Sequence, residues 1–334
     1  MRTRELGRTG VPVTALGFGA AGIGNLYTPV RDDDAYAALD TAWDAGIRYF
    51  DTAPHYGIGL SERRVGEYLL TRPTGSYTLS TKVGRLLEPY GGGGDDSANG
   101  FAVPATHRRV WDFSAAGVRR SIEDSLGRLG LDRIDVAYLH DPDDHAEQAF
   151  GEAYPELERL RGEGLVSAIG AGMNQARMLT RFVRDTDVDV VLCAGRYSLL
   201  DQRALTGLLP AAAERGVGVV VGGVFNSGLL ADPKQGATFD YTLAPPEVLD
   251  RALKLKDLAE RHGVSLRAAA LAFPFAHPAV TGVLVGTRTP AEVHDTVAQF
   301  AATVPAAFWD EARALRLLAA DVPTPDTPEQ EQHA

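Results

Sequence analysis

The 334-residue chain is short of three things, and each shortage excludes something. It holds a single cysteine, so no internal disulfide can form, which suits a reducing compartment. That residue, Cys193, lies in the apolar run VVLCAG, where a buried, inert thiol is expected. Positive charge is scarce: 33 Lys and Arg against 44 acidic residues give a formal net charge of −11. Such a balance argues against a general nucleic-acid partner. No basic block exceeds a short cluster such as HRR at 107–109, which reads as a solvated or anion-facing patch. Long apolar runs are missing too. None approaches the length that spans a bilayer, and MRTRELGRTG at the start carries no apolar signal core. The expectation is a cytoplasmic protein with no membrane partner; its oligomeric state is left open.

What is present is a rhythm. With 45% hydrophobic and 23% charged residues, the composition is that of a globular domain with a sizeable core. Strand-like runs fall at 14–19, 47–53, 77–84, 134–141, 166–172, 188–195, 217–223 and 280–286. Amphipathic helical stretches fill the intervals, at 32–46, 61–70, 114–130, 147–164, 175–185, 201–216, 246–263 and 291–302. Gly46, Gly130, Gly164, Gly216 and Gly263 stand where helices should close. Eight strand–helix units with strands apolar on both faces predict an α/β fold, a (β/α)8 TIM barrel. We expect one barrel domain over 1–319 and a loose tail over 320–334. Segment 6–14 predicts a short hairpin on the barrel floor. Segment 85–113, with four consecutive glycines, predicts a long loop after the third strand, a lid or an unstructured stretch.

Polar residues punctuate the ends of the apolar runs: Asp51 and Tyr56, then Lys82, then His140. Singly, each has an ordinary reading: a structural ion pair for Asp51 and Lys82, loop packing for Tyr56, a satisfied strand-end histidine for His140. As a set they lie where barrel enzymes carry chemistry, at the C-terminal strand ends. A Tyr, a Lys, an Asp and a His can move a proton at a sugar or carbonyl oxygen, with the ammonium lowering the pKa of the phenol. Gly17 to Gly22 matches G-x-G-x-x-G, but no helix opens at Gly22. A dinucleotide fingerprint needs a helix N-terminus there, so a glycine-lined barrel strand end is the preferred reading.

DTAPHYG (51–57), STKVGR (80–85), RSIEDSLGRLGLDRIDVAYLHDPD (120–143) and GVLVGTRTPAEV (282–293) together resemble the aldo-keto reductases over nearly the whole chain. The resemblance implies a barrel that uses NADP or NAD without a Rossmann domain. It implies Tyr56 as proton donor or acceptor, Lys82 and Asp51 as the groups that tune it, and His140 as the group that positions the substrate oxygen. For the cofactor it implies Gly19 at the end of the first strand, Asn174 at the carboxamide and Tyr197 under the nicotinamide. It also implies a pyrophosphate loop containing Gly223, Phe225, Asn226, Ser227, Gly228 and Leu230. Gly286, Thr287, Arg288 and Glu292 would meet the adenosine phosphate. Arg288 favours NADP, whereas Thr296, in place of a frequent Asn, keeps NAD open. Met173 and Ala194 replace the usual Ser and Gln of the carboxamide clamp.

CAGRYSLLDQ (193–202), LHDPDD (139–144), WDFS (111–114) and FPFAHPAV (273–280) resemble the L-fucose, D-threo-aldose and pyridoxal dehydrogenase subgroup. This implies oxidation of an aldose at C1 to the lactone, with a pyridoxal dehydrogenase or a general aldehyde or ketone reductase as alternatives. His55, Arg85, Trp111 and Asp141 are the candidate substrate contacts, with Asp143, Asp144 and Asn226 also near the mouth. Two other classes are weighed: a cofactor-sensing regulatory subunit of a membrane complex with little turnover, and a metal-dependent barrel hydrolase. The chain has no H-x-H after an early strand, so no metal site is expected.

Overall fold

The computed structural model describes residues 1–325. Eight parallel strands close into a barrel. They are β1 (Leu16–Gly19), β2 (Tyr49–Asp51), β3 (Thr78–Val83), β4 (Ile134–His140), β5 (Val166–Met173), β6 (Val190–Ala194), β7 (Gly218–Gly222) and β8 (Val280–Gly286). Neighbours follow chain order and β8 pairs β1 to close the ring. Each strand coincides with one of the eight predicted runs. Continuous apolar sequence marks them because side chains alternate between the barrel interior and the helical layer, both of them dry.

Helices cover the outside, including Asp32–Asp44, Leu60–Leu69, Ala115–Leu129 and Pro246–Arg261. Ser114 caps the third of these, accepting from the Gly117 N–H. Gly130 and Gly216 close their helices in the left-handed region, at φ +66 and +65. The predicted helix at 147–164 contains a π-helical turn, Ala149–Ala153, before Tyr154–Gly162. Helices Leu266–Ala272 and Ala306–Ala314 were not anticipated. The first is only seven residues long and almost wholly apolar, so it shows no amphipathic period.

The floor hairpin is present: Thr3–Glu5 pairs antiparallel with Pro12–Thr14. It pushes Leu6, Val11 and Val13 into the apolar cluster that contains Tyr49, Val136 and Val190, stoppering the N-terminal end of the barrel. Of the predicted tail, Val322 is buried and its carbonyl accepts from Arg313 at 3.0 Å. Residues 326–334 lie outside the described residues.

Segment 85–113 is not an open loop. Arg85–Pro89 pairs antiparallel with His107–Trp111, and the intervening chain docks back on the barrel mouth through a bridge between Leu26 and Phe101. The glycine run masked alternating strand character on either side, and the docking contacts are long-range.

Candidate active site

The period-two geometry of strands builds the site in two layers. Tyr49 and Asp51 project inward from β2, Ser80 and Lys82 from β3, Tyr138 and His140 from β4. Register sets Asp51 beside Ser80 and Lys82 beside Tyr138. The lower layer is a hydrogen-bonded chain: the Tyr138 and Tyr49 hydroxyls lie 3.1 Å apart, and Ser80 Oγ lies 3.1 Å from the Tyr49 hydroxyl and 2.7 Å from Asp51 Oδ1. In the upper layer Lys82 Nζ donates to Asp51 Oδ2 at 2.6 Å and to the Thr52 carbonyl at 2.9 Å. Tyr49, Ser80 and Tyr138 escaped the sequence reading. The signal was there, in the i, i+2 pairs Y-x-D, S-x-K and Y-x-H.

Tyr56 arrives on the loop after β2. Gly57 follows it at φ +62, and a Cβ there would lie 2.2 Å from the Gly24 carbonyl oxygen, so only glycine lets this loop close. The Tyr56 ring centroid is 4.7 Å from Lys82 Nζ. His140 stands edge-on to Tyr56 with ring centroids 6.0 Å apart, and His55 is 5.7 Å from His140. The structure thus gathers Asp51, Tyr56, Lys82 and His140 at one mouth, with Asp51 behind Lys82.

Burial works against the charge on Lys82, yet Asp51 and then Tyr56 raise its pKa above the usual value, so it stays an ammonium. For Tyr56, burial raises the phenol pKa and Lys82 lowers it, with a net upward direction. The lowering expected from Lys82 is real but smaller than desolvation. His140 is pushed down by burial and by Arg85 and Lys82. His55 falls to about 2 through burial, Arg85 and Arg109. Both imidazoles are therefore neutral at physiological pH.

A cavity of about 340 Å³ opens above these groups, lined by His55, Tyr56, Lys82, His140, Asp141 and Asn174 among others. Met173 and Ala194 contribute apolar wall. Arg85 lies behind Asp141 and pairs with it. Trp111 does not reach the cavity: it is half-exposed, stacked under the Arg85 guanidinium and against His145, on the outer side of the 85–111 hairpin. Phe101 and Asn99 from that hairpin form the wall instead. Phe101 packs edge-on against His55 with ring centroids 5.2 Å apart. Arg109, within the expected surface patch, is in fact a largely covered clasp. It donates to both oxygens of Asp96, at 2.7 and 2.6 Å, and to the His55 carbonyl at 2.7 Å.

A groove runs from this cavity past Tyr27 along the ends of β7 and β8. Its first stretch, about 550 Å³, is lined by Gly223, Phe225, Asn226, Ser227, Gly228 and Gly286. Its second, about 470 Å³, holds Gly22, Gly286, Thr287, Arg288, Glu292 and Thr296. Gly22 begins a single 3-10 turn rather than an α-helix, so the glycine motif is a lined strand end. Asn226 and Ser227 take left-handed conformations and Gly228 follows at φ +92 with open space above it. The Asn226 side-chain amide is consumed internally by Ser198 and Gly195, and its N–H donates to the Gly223 carbonyl at 2.9 Å, so Asn226 braces the loop. Thr287 Oγ1 is buried without a partner, and Arg288 is held by Glu292 at 2.7 Å and Thr28 at 3.0 Å. A positive-φ loop, an orphaned hydroxyl and a terminal guanidinium fit a dinucleotide.

Tyr197 does not take its expected place. It is fully buried against Phe273, at 5.0 Å between ring centroids, and has no face to offer a nicotinamide. Leu230 is likewise interior, and Gly19 borders the groove through its pairing with Gly286. Among the described residues no group of three or more His, Cys, Asp or Glu is arranged around a metal position, and no helix is long and apolar enough to cross a membrane.

Comparison with known proteins agrees with this geometry. The Aldo/keto reductase family model matches residues 15–316. A D-threo-aldose 1-dehydrogenase from a Pseudomonas species is 47% identical, covering 95% of this chain and 97% of its own length. A pyridoxal 4-dehydrogenase from Microbacterium luteolum is 40% identical over 94% of this chain and 97% of its own. Among solved structures, the holo form of an aldo-keto reductase from Bacillus halodurans superposes with a TM-score of 0.75 at 28% identity, covering 96% of this chain and 98% of that one. The chain therefore belongs to the aldo/keto reductase family, NAD(P)-dependent oxidoreductases of CH–OH and aldehyde groups, and is closely related to the D-threo-aldose and pyridoxal dehydrogenases.

Proposed function

We propose that the protein oxidises an aldose of the L-fucose or D-threo type at C1 to its lactone, with NADP favoured over NAD. The observation that carries this reading is the Asp51–Lys82–Tyr56 arrangement beneath a small cavity whose largely apolar wall carries a few polar groups, His55, His140, Asp141 and Asn174. The 47% identity to an aldose dehydrogenase supports the choice of substrate. A volume of about 340 Å³ suits a single sugar ring.

The bound dinucleotide supplies the hydride acceptor for C1. Tyr56, as phenolate, takes the proton of the anomeric hydroxyl as the C1 hydrogen leaves with its electron pair. Lys82 stabilises the phenolate, and Asp51 keeps Lys82 charged and aimed. Neutral His140 holds the reacting oxygen without adding a charge that would repel Lys82. His55, and Asp141 backed by Arg85, bond the ring hydroxyls. The loop Gly223 to Gly228, braced by the Asn226 N–H on the Gly223 carbonyl, would cradle pyrophosphate through its other backbone N–H groups, and Thr287 and Arg288 would meet the adenosine phosphate.

The test is NAD- and NADP-linked oxidation of L-fucose, D-arabinose, L-galactose, L-xylose and pyridoxal, by wild type and by Tyr56→Phe. Expected are aldose turnover and loss of about 10²- to 10⁴-fold in the variant with cofactor binding intact. Preference for pyridoxal would move the protein to its other close relative's reaction. An unchanged rate in Tyr56→Phe would remove the acid–base assignment, and cofactor binding without turnover would favour the sensor role.

A further inference from the structure

We propose that the cleft between helices Ala176–Asp185 and Leu208–Arg215 is a second binding site, for a small phosphate-bearing anion, and that its occupation loosens the cofactor. The cleft encloses about 570 Å³ and shares only Asn174 with the active-site cavity. Such a volume is that of a metabolite site.

Its wall is cationic in a chain of net charge −11. Arg177, Arg181 and Arg184 line it from one helix, with Arg196 and Arg203 opposite and Asp185 as the lone carboxylate. The spacing i, i+4, i+7 puts the first three on one helical face. No carboxylate pairs with Arg177 or Arg184 among the described residues, whereas Arg181 reaches Asp185 at 3.7 Å. The opposite helix begins at Gly207 and Leu208 without a side-chain cap, so its first N–H groups add partial positive charge. Planar guanidinium forks match phosphate oxygens in pairs.

Arg196 makes the cleft a built site rather than a surface patch. It is only 6% exposed and holds two elements of the active centre. Its Nε donates to the Asn174 carbonyl at 2.8 Å, and its NH1 lies 2.6 Å from Asp240. Arg203 adds a contact of 3.8 Å to the same carboxylate. Asp240 and Tyr241 are left-handed residues at φ +49 and +64, in the turn joining Thr238–Phe239 to Thr242–Leu243. Tyr241 lines both the substrate cavity and the first stretch of the cofactor groove. Asp201 also pairs with both arginines, so an anion held by Arg177 and Arg184 that draws Arg196 and Arg203 toward it competes with Asp201 and Asp240, releases the turn and withdraws Tyr241. Linkage makes the effect mutual: bound cofactor weakens the anion by the same factor.

The experiment is calorimetric titration of inorganic pyrophosphate into the full-length protein. The proteins compared are wild type, Arg177→Ser/Arg184→Ser and Arg288→Ala. Both substituted cleft positions are exposed, and a circular dichroism melt checks that the double variant folds. Wild type and Arg288→Ala should bind, and the double variant should bind about tenfold more weakly or worse. Saturating pyrophosphate should raise the dissociation constant of NADP at least about fivefold in wild type and leave it unchanged in the double variant. Undiminished binding in the double variant, or an NADP constant that rises there as much as in wild type, would assign the anion to the cofactor groove and overturn the proposal. Absence of binding would do the same. Equal binding of citrate would overturn the phosphate class, and an unchanged NADP constant in wild type would overturn the coupling.

Discussion

At the scale of single residues, the centre is a contest between burial and one ammonium. Desolvation keeps the Tyr56 phenol protonated and Lys82 pulls the other way, so oxidation should quicken as pH rises and the phenolate fills. Lys82→Met removes the lowering influence, and the alkaline limb of the oxidative rate should move up by at least about one pH unit. The same change strands the buried Asp51 carboxylate, so Lys82→Met/Asp51→Asn should restore stability without restoring the limb. A pH–rate profile with a thermal melt separates the two effects; an unmoved limb would leave Lys82 a purely structural cation. The four strand-end residues were legible because each breaks an apolar run with a group that burial disfavours unless it is paired. Net pKa direction was not legible, since desolvation depends on how tightly Phe101 and His140 close over Tyr56. Tyr197 misled for a similar reason: its packing against Phe273 brings together residues from distant parts of the chain.

Among the elements, the 85–111 hairpin decides how large a substrate can enter. Arg109 and Asp96 form a pair with side chains 10% and 4% exposed, and through it Phe101 and the His55 carbonyl are fixed. Arg109→Met leaves Asp96 buried and unpaired, costing about 3–5 kcal/mol; Arg109→Met/Asp96→Asn should recover much of that. With the wall unlatched in both variants, the KM for a small aldose should rise while the affinity for the dinucleotide stays level. Steady-state kinetics against an aldose and an aromatic aldehyde, beside direct cofactor titration, would show it; equal losses for both ligands would mean a general collapse. Little of this element was readable beforehand. HRR looks like surface because nothing local says that its last arginine meets a carboxylate 13 residues earlier. The short strands flanking the glycine run offered too few alternations to stand out.

Over the whole molecule the fold was plainly legible, because a closed parallel barrel repeats one physical requirement eight times. Each strand must be apolar on both faces, each helix must present one apolar stripe, and each return needs a stop; the glycines at 46, 130, 164, 216 and 263 all take positive φ. Long-range consequences of that frame are testable at the far end of the groove. Arg288 lies beyond Gly286 at the end of β8, remote from Tyr56, so Arg288→Ala should raise the KM for NADP about tenfold or more through loss of a charged fork. NAD kinetics should be nearly unaffected, and equal effects on the two coenzymes would deny Arg288 a part in reading the extra phosphate.

The stopper formed by Leu6, Val11 and Val13 has a kinetic meaning as well. A barrel sealed at one pole has a single doorway, and here the cavity above Tyr56 and the groove along β7 and β8 open at that doorway around Leu26, Tyr27 and Tyr241. Whatever occupies the cavity and whatever occupies the groove must pass the same mouth, so a ligand seated in one narrows the way to the other.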